Sequence, residues 1–135
     1  MTVVLDASVY VAMLKQEEPN HAASQNWYNE ALASGTPLAA PLPFLAEVAG
    51  AISRSTGDTQ LAEAVIAQIQ SLGVIELIPV SDFLGVRAAE IAARYRLRGC
   101  DALYVAVAEQ LGAALVSLDQ EQLARATAVI PTRHP

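Results

Sequence analysis

Apolar positions along the chain form short unbroken runs separated by longer stretches in which they recur at helical spacing. Thr2 to Leu5 is a β-branched run ending at Asp6 and reads as a buried strand. A short helix over Val9 to Leu14 follows, then a turn at Glu17-Glu18-Pro19-Asn20 and an amphipathic helix from Asn20 to Ala33, closed by Ser34-Gly35. Leu38 to Ala40, between two prolines, is a second strand. Pro43 suits the start of a helix that runs to Ser55, with Leu45, Val48, Ala49 and Ile52 on one buried face. Asp58 or Thr59 caps the next helix, striped by Leu61, Val65, Ile69 and Leu72 and ended by Gly73. Val74 to Val80 reads as a third strand, and Ser81 or Asp82 caps a helix through Tyr95. Ala102 to Ala108 is apolar almost all round, the mark of a helix deep in a core. Ala114 to Leu118 is a fourth strand, Asp119 begins a short helix, and Ala128 to Ile130 predicts an edge strand before Pro131. Continuous apolar strands alternating with helices argue for a parallel sheet covered on both faces.

Composition narrows this picture without changing it. At 135 residues the chain suits one domain, expected over residues 1–135. Hydrophobic residues at 53% against 16% charged exclude disorder. The first residues lack the basic leader of a signal peptide, and the longest apolar run is broken by Glu109, so no membrane span is expected. Cys100 is the single cysteine, which leaves no disulfide framework and no paired-thiol zinc motif. A soluble, reducing, cytoplasmic setting is the expectation. The net charge of −6 weakens a nucleic-acid reading without refuting it, because such binding depends on clustered cations rather than on the total.

The chemistry lies in four acids. In an open parallel sheet, ligands bind beyond the carboxyl ends of the strands. Asp6 and Asp119 each follow an apolar strand, Asp101 opens the buried helix, and Glu47 lies early in its own helix beside the apolar stripe. Singly, each has an ordinary reading: Asp6 and Asp101 as helix caps, Asp119-Gln120-Glu121-Gln122 as a capping box, Glu47 at a helix dipole. Jointly they gather like charges, and at ~4 Å with an effective dielectric of ~20 each such pair costs about 4 kcal/mol. A divalent cation or raised pKa values must compensate. Carboxylates without His or Cys suit magnesium or manganese rather than zinc. His21 and His134 read as solvated.

These residues carry a resemblance. Val3-Val4-Leu5-Asp6-Ala7-Ser8, Leu45-Ala46-Glu47-Val48, Cys100-Asp101-Ala102-Leu103 and Leu115-Val116-Ser117-Leu118-Asp119 are similar to the successive acidic motifs of the PIN domain. In size and order the chain resembles the VapC-type toxins of toxin–antitoxin pairs, with Ser117 where that family often has Thr. The resemblance implies a three-layer α/β/α fold with a central parallel sheet of four to five strands, and magnesium-dependent (or manganese-dependent) endoribonuclease activity. It makes Asp6 and Asp101 direct metal ligands, with Glu47 and Asp119 completing the ring and orienting the nucleophile. Ser8 and Ser117 would hydrogen-bond the ligands or water around them. An antitoxin filling the acidic groove and a homodimer, through helices such as that of Leu45, Val48 and Ile52, are further implications.

Arg94, Arg96 and Arg98 form the one basic cluster, and two accounts stand side by side. They favour a helix C-terminus, with Glu90 at salt-bridge spacing from Arg94, or they hold RNA phosphates at the mouth of the site. Arg54 and Lys15 are weaker candidates, and Trp27 with Tyr28 reads as helix packing. Other classes compete. A phospho-accepting receiver domain needs a second acid near the first strand and a late lysine, but Lys15 is the only lysine. A haloacid-dehalogenase phosphatase needs Asp-x-Asp where this chain has Asp6-Ala7-Ser8. A PIN-type module that binds RNA or protein without cutting stays open.

Overall fold

The computed structural model describes all residues from Met1 to Pro135. Five strands, β1 (Val3–Leu5), β2 (Leu38–Pro41), β3 (Ile75–Ile78), β4 (Ala114–Val116) and β5 (Thr132–Arg133), form one sheet in the order β3-β2-β1-β4-β5. All four pairings are parallel. Seven helices connect them: α1 (Ala7–Leu14), α2 (His21–Ala33), α3 (Phe44–Thr56), α4 (Thr59–Leu72), α5 (Asp82–Tyr95), α6 (Gly99–Leu111) and α7 (Gln120–Ala126). The chain runs outward from β1 through β2 to β3, then returns past β1 to build β4 and β5. β1 and β4 are therefore neighbours at a topological switch point, where an open α/β sheet presents a crevice.

The elements follow from the sequence pattern. Val4 and Leu5 of β1, Leu115 and Val116 of β4 and Leu38 to Ala40 of β2 are buried, as the central strands of a covered sheet must be. Ala102 and Tyr104 to Ala108 are buried on every side of α6, which lies on β1, β2 and β4 and packs beside α5. Gly112 ends α6 at φ +62°, a left-handed conformation that costs glycine nothing and lets the chain turn straight into β4. Trp27 is buried and Tyr28 packs edge-on to Tyr10, in agreement with a packing role.

Four expectations are corrected. The edge strand is not Ala128 to Ile130 but Thr132–Arg133, beyond Pro131. The amides of Val129 and Ile130 are taken by the Ala126 carbonyl, and Ile130 turns into the core, so pairing with β4 starts only at the Pro131 carbonyl. The helix carrying Asp101 starts at Gly99, which places Asp101 inside the first turn with Arg98 at the cap. His21 is half-buried rather than solvated, its Nδ1 lying 2.9 Å from the Ala12 carbonyl oxygen. Val48 and Ile52 of α3 are buried in the chain's own core and are not available to a second copy.

Candidate active site

Asp6 leaves β1 in extended conformation and caps α1, its Oδ2 accepting from the Ser8 amide at 3.0 Å. Asp119 repeats the arrangement two residues past Ser117, capping α7 with Oδ1 on the Gln122 amide at 3.1 Å. The ordinary cap reading of both acids is thus correct, and it coexists with the site reading. One carboxylate oxygen of each is occupied by the cap, and the residue still lines the cleft between the ends of β1 and β4. That cleft measures about 730 Å³, and Asp6, Glu47, Asp101 and Asp119 all line it.

Three of the acids feel one another directly. Burial pushes the Asp6 carboxyl above its ordinary value; hydrogen bonds from Ser8 hold it back, and the charge of Asp101 pushes it further. Burial likewise raises Glu47, against the pull of a hydrogen bond from Tyr104 and with added repulsion from Asp6 and Asp101. Asp119 joins through an arginine instead. Arg98 Nε donates to Asp101 Oδ2 at 3.0 Å and its Nη2 donates to Asp119 Oδ2 at 3.1 Å, so one guanidinium bridges both carboxylates.

Ser8 and Ser117 stitch the two strand ends together. Ser8 Oγ accepts from the Leu118 amide at 3.2 Å and lies 3.5 Å from Ser117 Oγ. Ser117 Oγ accepts from the Asp119 amide at 3.0 Å and donates to Gln122 Oε1 at 2.7 Å. The serines therefore fix the backbone that carries Asp6 and Asp119. Of the basic cluster, Arg98 enters the cleft, Arg96 lines a smaller cavity beside it, and Arg94 lines neither. Arg54 stands at the cleft, whereas Lys15 pairs with Glu18 at 3.3 Å and does not line it.

Tyr104 escaped the sequence reading, and Gln122 figures there only as part of a capping box. Tyr104, fully buried on α6, donates to Glu47 Oε1 at 2.7 Å and fixes that carboxylate from beneath. Its signal was present: a buried tyrosine hydroxyl needs a partner, and Tyr104 follows Asp101 by three residues on an otherwise apolar helix. Gln122 is 1% exposed and braces Ser117, while its Nε2 has no hydrogen-bond partner. It nonetheless lies near enough to Asp6 to favour the charged carboxylate.

The donor set is oxygen throughout, with Cys100 at the rim as a thiol whose pKa is raised by burial and by the charges of Glu47 and Asp101. No three His, Cys, Asp or Glu side chains are drawn together tightly enough to cage an ion with protein atoms alone. Magnesium fits such a site, because it keeps several waters and takes only one or two carboxylates directly. A cation would also offset the repulsion among Asp6, Glu47 and Asp101.

A doubly wound parallel α/β domain with acids from four separated segments rimming its switch-point cleft defines the class. The sequence profile of the PIN domain matches residues 3–128, and the chain belongs to that family. No curated protein matches the chain significantly in sequence. Solved structures share the fold at low identity. Mycobacterium tuberculosis VapC20, described as a sarcin–ricin loop cleaving toxin, superposes with a TM-score of 0.76 at 21% identity, over 90% of this chain and 93% of that one. VapBC2 of Rickettsia felis, bound to a fragment of its promoter DNA, gives 0.74 at 18% identity over 100% and 99%. FitAcB of Neisseria gonorrhoeae gives 0.74 at 14% over 96% and 95%.

Proposed function

We propose that this protein is a metal-dependent endoribonuclease and the toxin of a toxin–antitoxin pair. The observation that carries the reading is the convergence of Asp6, Glu47, Asp101 and Asp119 on one cleft in a PIN-family chain. The likeness to a loop-cleaving toxin supports RNA as the substrate. Asp6 and Asp101 are the residues that would hold magnesium or manganese, with Glu47 and Asp119 reaching it directly or through water. When bound, such an ion supplies charge neutralisation at the phosphodiester and a more acidic water. Glu47, held by Tyr104, is placed to accept a proton from an attacking water, and burial raises its pKa, which makes it a stronger base than a free carboxylate. Ser8 and Ser117 keep Asp6 and Asp119 in register across β1 and β4.

An antitoxin offering a basic side chain would complement the acidic cleft. Homodimerisation is supported by the apolar surface of α5, where Phe83 and Val86 are exposed. The test is cleavage of structured and unstructured RNAs with magnesium, with manganese and with EDTA, alongside Asp6→Asn and Asp101→Asn. Cutting should require metal and fall by about 100-fold or more in both variants, since losing even the hydrogen-bond partner of a ligand costs about 10–100-fold. Metal-dependent cutting that survives both changes would mark a contaminating nuclease. No cutting by folded protein across a broad panel would favour a PIN module that binds without cleaving.

A further inference from the structure

We propose that the small cavity beside the acidic cleft is a subsite for a neighbouring phosphodiester of the RNA, walled by Arg96 and Arg125 and gated by Arg98. The inference rests on the nuclease reading and specifies where that enzyme holds its substrate's backbone. The cavity, about 210 Å³, lies where the end of α5 and the start of α6 meet α7. It is smaller than a drug-sized ligand requires, and suits one backbone unit. Arg98, Asp101 and Asp119 line both hollows, so the two are adjacent and share that wall.

Three independent features mark it. Arg96 is the one non-glycine residue with positive φ, at +57°, in the helix-ending position that Gly57, Gly73 and Gly112 fill elsewhere. A long cation is kept there at a conformational cost, and it pairs with no carboxylate. Arg125 is held from both sides: Nη1 donates to the Arg96 carbonyl and Nη2 pairs with Glu121 at 2.6 Å. Arg98 is 80% exposed, and surface pairs of this kind are weak, so its hold on Asp101 and Asp119 is easily exchanged.

Counted with its carboxylates the cavity is neutral: Arg96, Arg98 and Arg125 against Asp101, Asp119 and Glu121. A divalent cation held by Asp101 and Asp119 would compete with Arg98 for their carboxylates and weaken its hold on them. Three guanidiniums would then stand against Glu121 alone, with Arg96 and Arg98 open to a phosphate while Arg125 stays tied to the Arg96 carbonyl and Glu121. Arg98 thus links the two sites, and the RNA backbone is drawn to the protein chiefly when the cleft is loaded.

Two binding measurements on the full chain test this. The first is Mn2+ affinity without RNA, for the wild type and Arg98→Gln. Arg98→Gln should bind at least about threefold tighter, the factor that weak surface pairs are worth, because it no longer competes for the carboxylates. Equal or weaker affinity would overturn the gating role. The second is the salt dependence of binding to a mixed-sequence, single-stranded phosphorothioate RNA in the presence of Mn2+. Arg96→Gln and Arg125→Gln should each flatten the slope of log affinity against log salt by about 0.7, and Arg94→Gln should leave it unchanged. Arg96→Gln breaks no backbone bond, so it remains decisive if Arg125→Gln loosens α7. A loss from Arg94→Gln as large as from Arg96→Gln would show diffuse surface binding and sink the subsite. If the wild type binds neither Mn2+ nor RNA, the nuclease reading itself falls. If it binds both and the cavity variants keep its slope, only the subsite falls.

Discussion

Asp6 is 6% exposed, gives Oδ2 to the Ser8 amide at 3.0 Å, and carries a carboxyl whose pKa is raised chiefly by burial. Glu47 is raised for the same first reason. The sign of the consequence is fixed by linkage. Free carboxyls titrate at about 4, so between that pH and the higher folded values the native state binds more protons than the unfolded one. Metal-free protein should therefore lose stability as pH rises through those folded values, and be relieved of that penalty below about pH 4, where both states are protonated. Asparagine caps a helix as well as aspartate and does not ionise. Asp6→Asn, measured in EDTA, should show an equal or higher urea midpoint at pH 7 and a flatter fall with pH. A lower midpoint at pH 7 would mean that the buried charge stabilises the fold.

At the scale of elements, helix ends carry the site. The starts of α1 and α7 hold Asp6 and Asp119 at their caps, the first turn of α6 holds Asp101, and the end of α5 holds Arg96. Each end was built from residues that the chain needs for ordinary reasons, caps and turns, and the chemistry uses the same groups. Arg96 is the exception, since the left-handed position favours glycine. Arg96→Gly should stabilise the protein by about 0.5–1 kcal/mol, the relief of the left-handed strain less the added entropy of the unfolded glycine. Urea unfolding measures the gain. A destabilised variant would show that the Arg96 side chain holds α5 in place, and would remove the argument from strain.

At the scale of the molecule, charge and apolar surface are distributed unevenly. The acids gather at the cleft between β1 and β4, while Phe83 and Val86 are exposed on α5 and Val80 just before it, with Phe83 at 75%. These side chains are where we propose that a second copy docks. Light scattering at micromolar concentration should give twice the chain mass, and Phe83→Glu should return it to one. A monomeric wild type would remove the homodimer from the reading. No helix is long and apolar enough to cross a membrane.

The sequence by itself determined the parallel sheet, because continuous apolar runs such as Val3–Leu5 and Ala114–Val116 alternate with helical stretches, and strands linked by helices pair in parallel with both faces covered. It also marked the four acids, because a charge at the end of an apolar strand or in the first turn of an apolar helix is conspicuous against its neighbours. Boundaries were legible to within a residue or two wherever a cap or glycine marks them, as at Asp58 and Gly73. Only the tertiary structure decided which groups meet. The bond from Arg98 to Asp119 spans 21 residues, and that from Tyr104 to Glu47 spans 57. Local pattern carries no record of such separations, since they depend on the order in which the strands are laid down. The last strand fell to the same cause: the pattern favoured Ala128 to Ile130, but the core claimed Ile130 and left pairing to Thr132–Arg133.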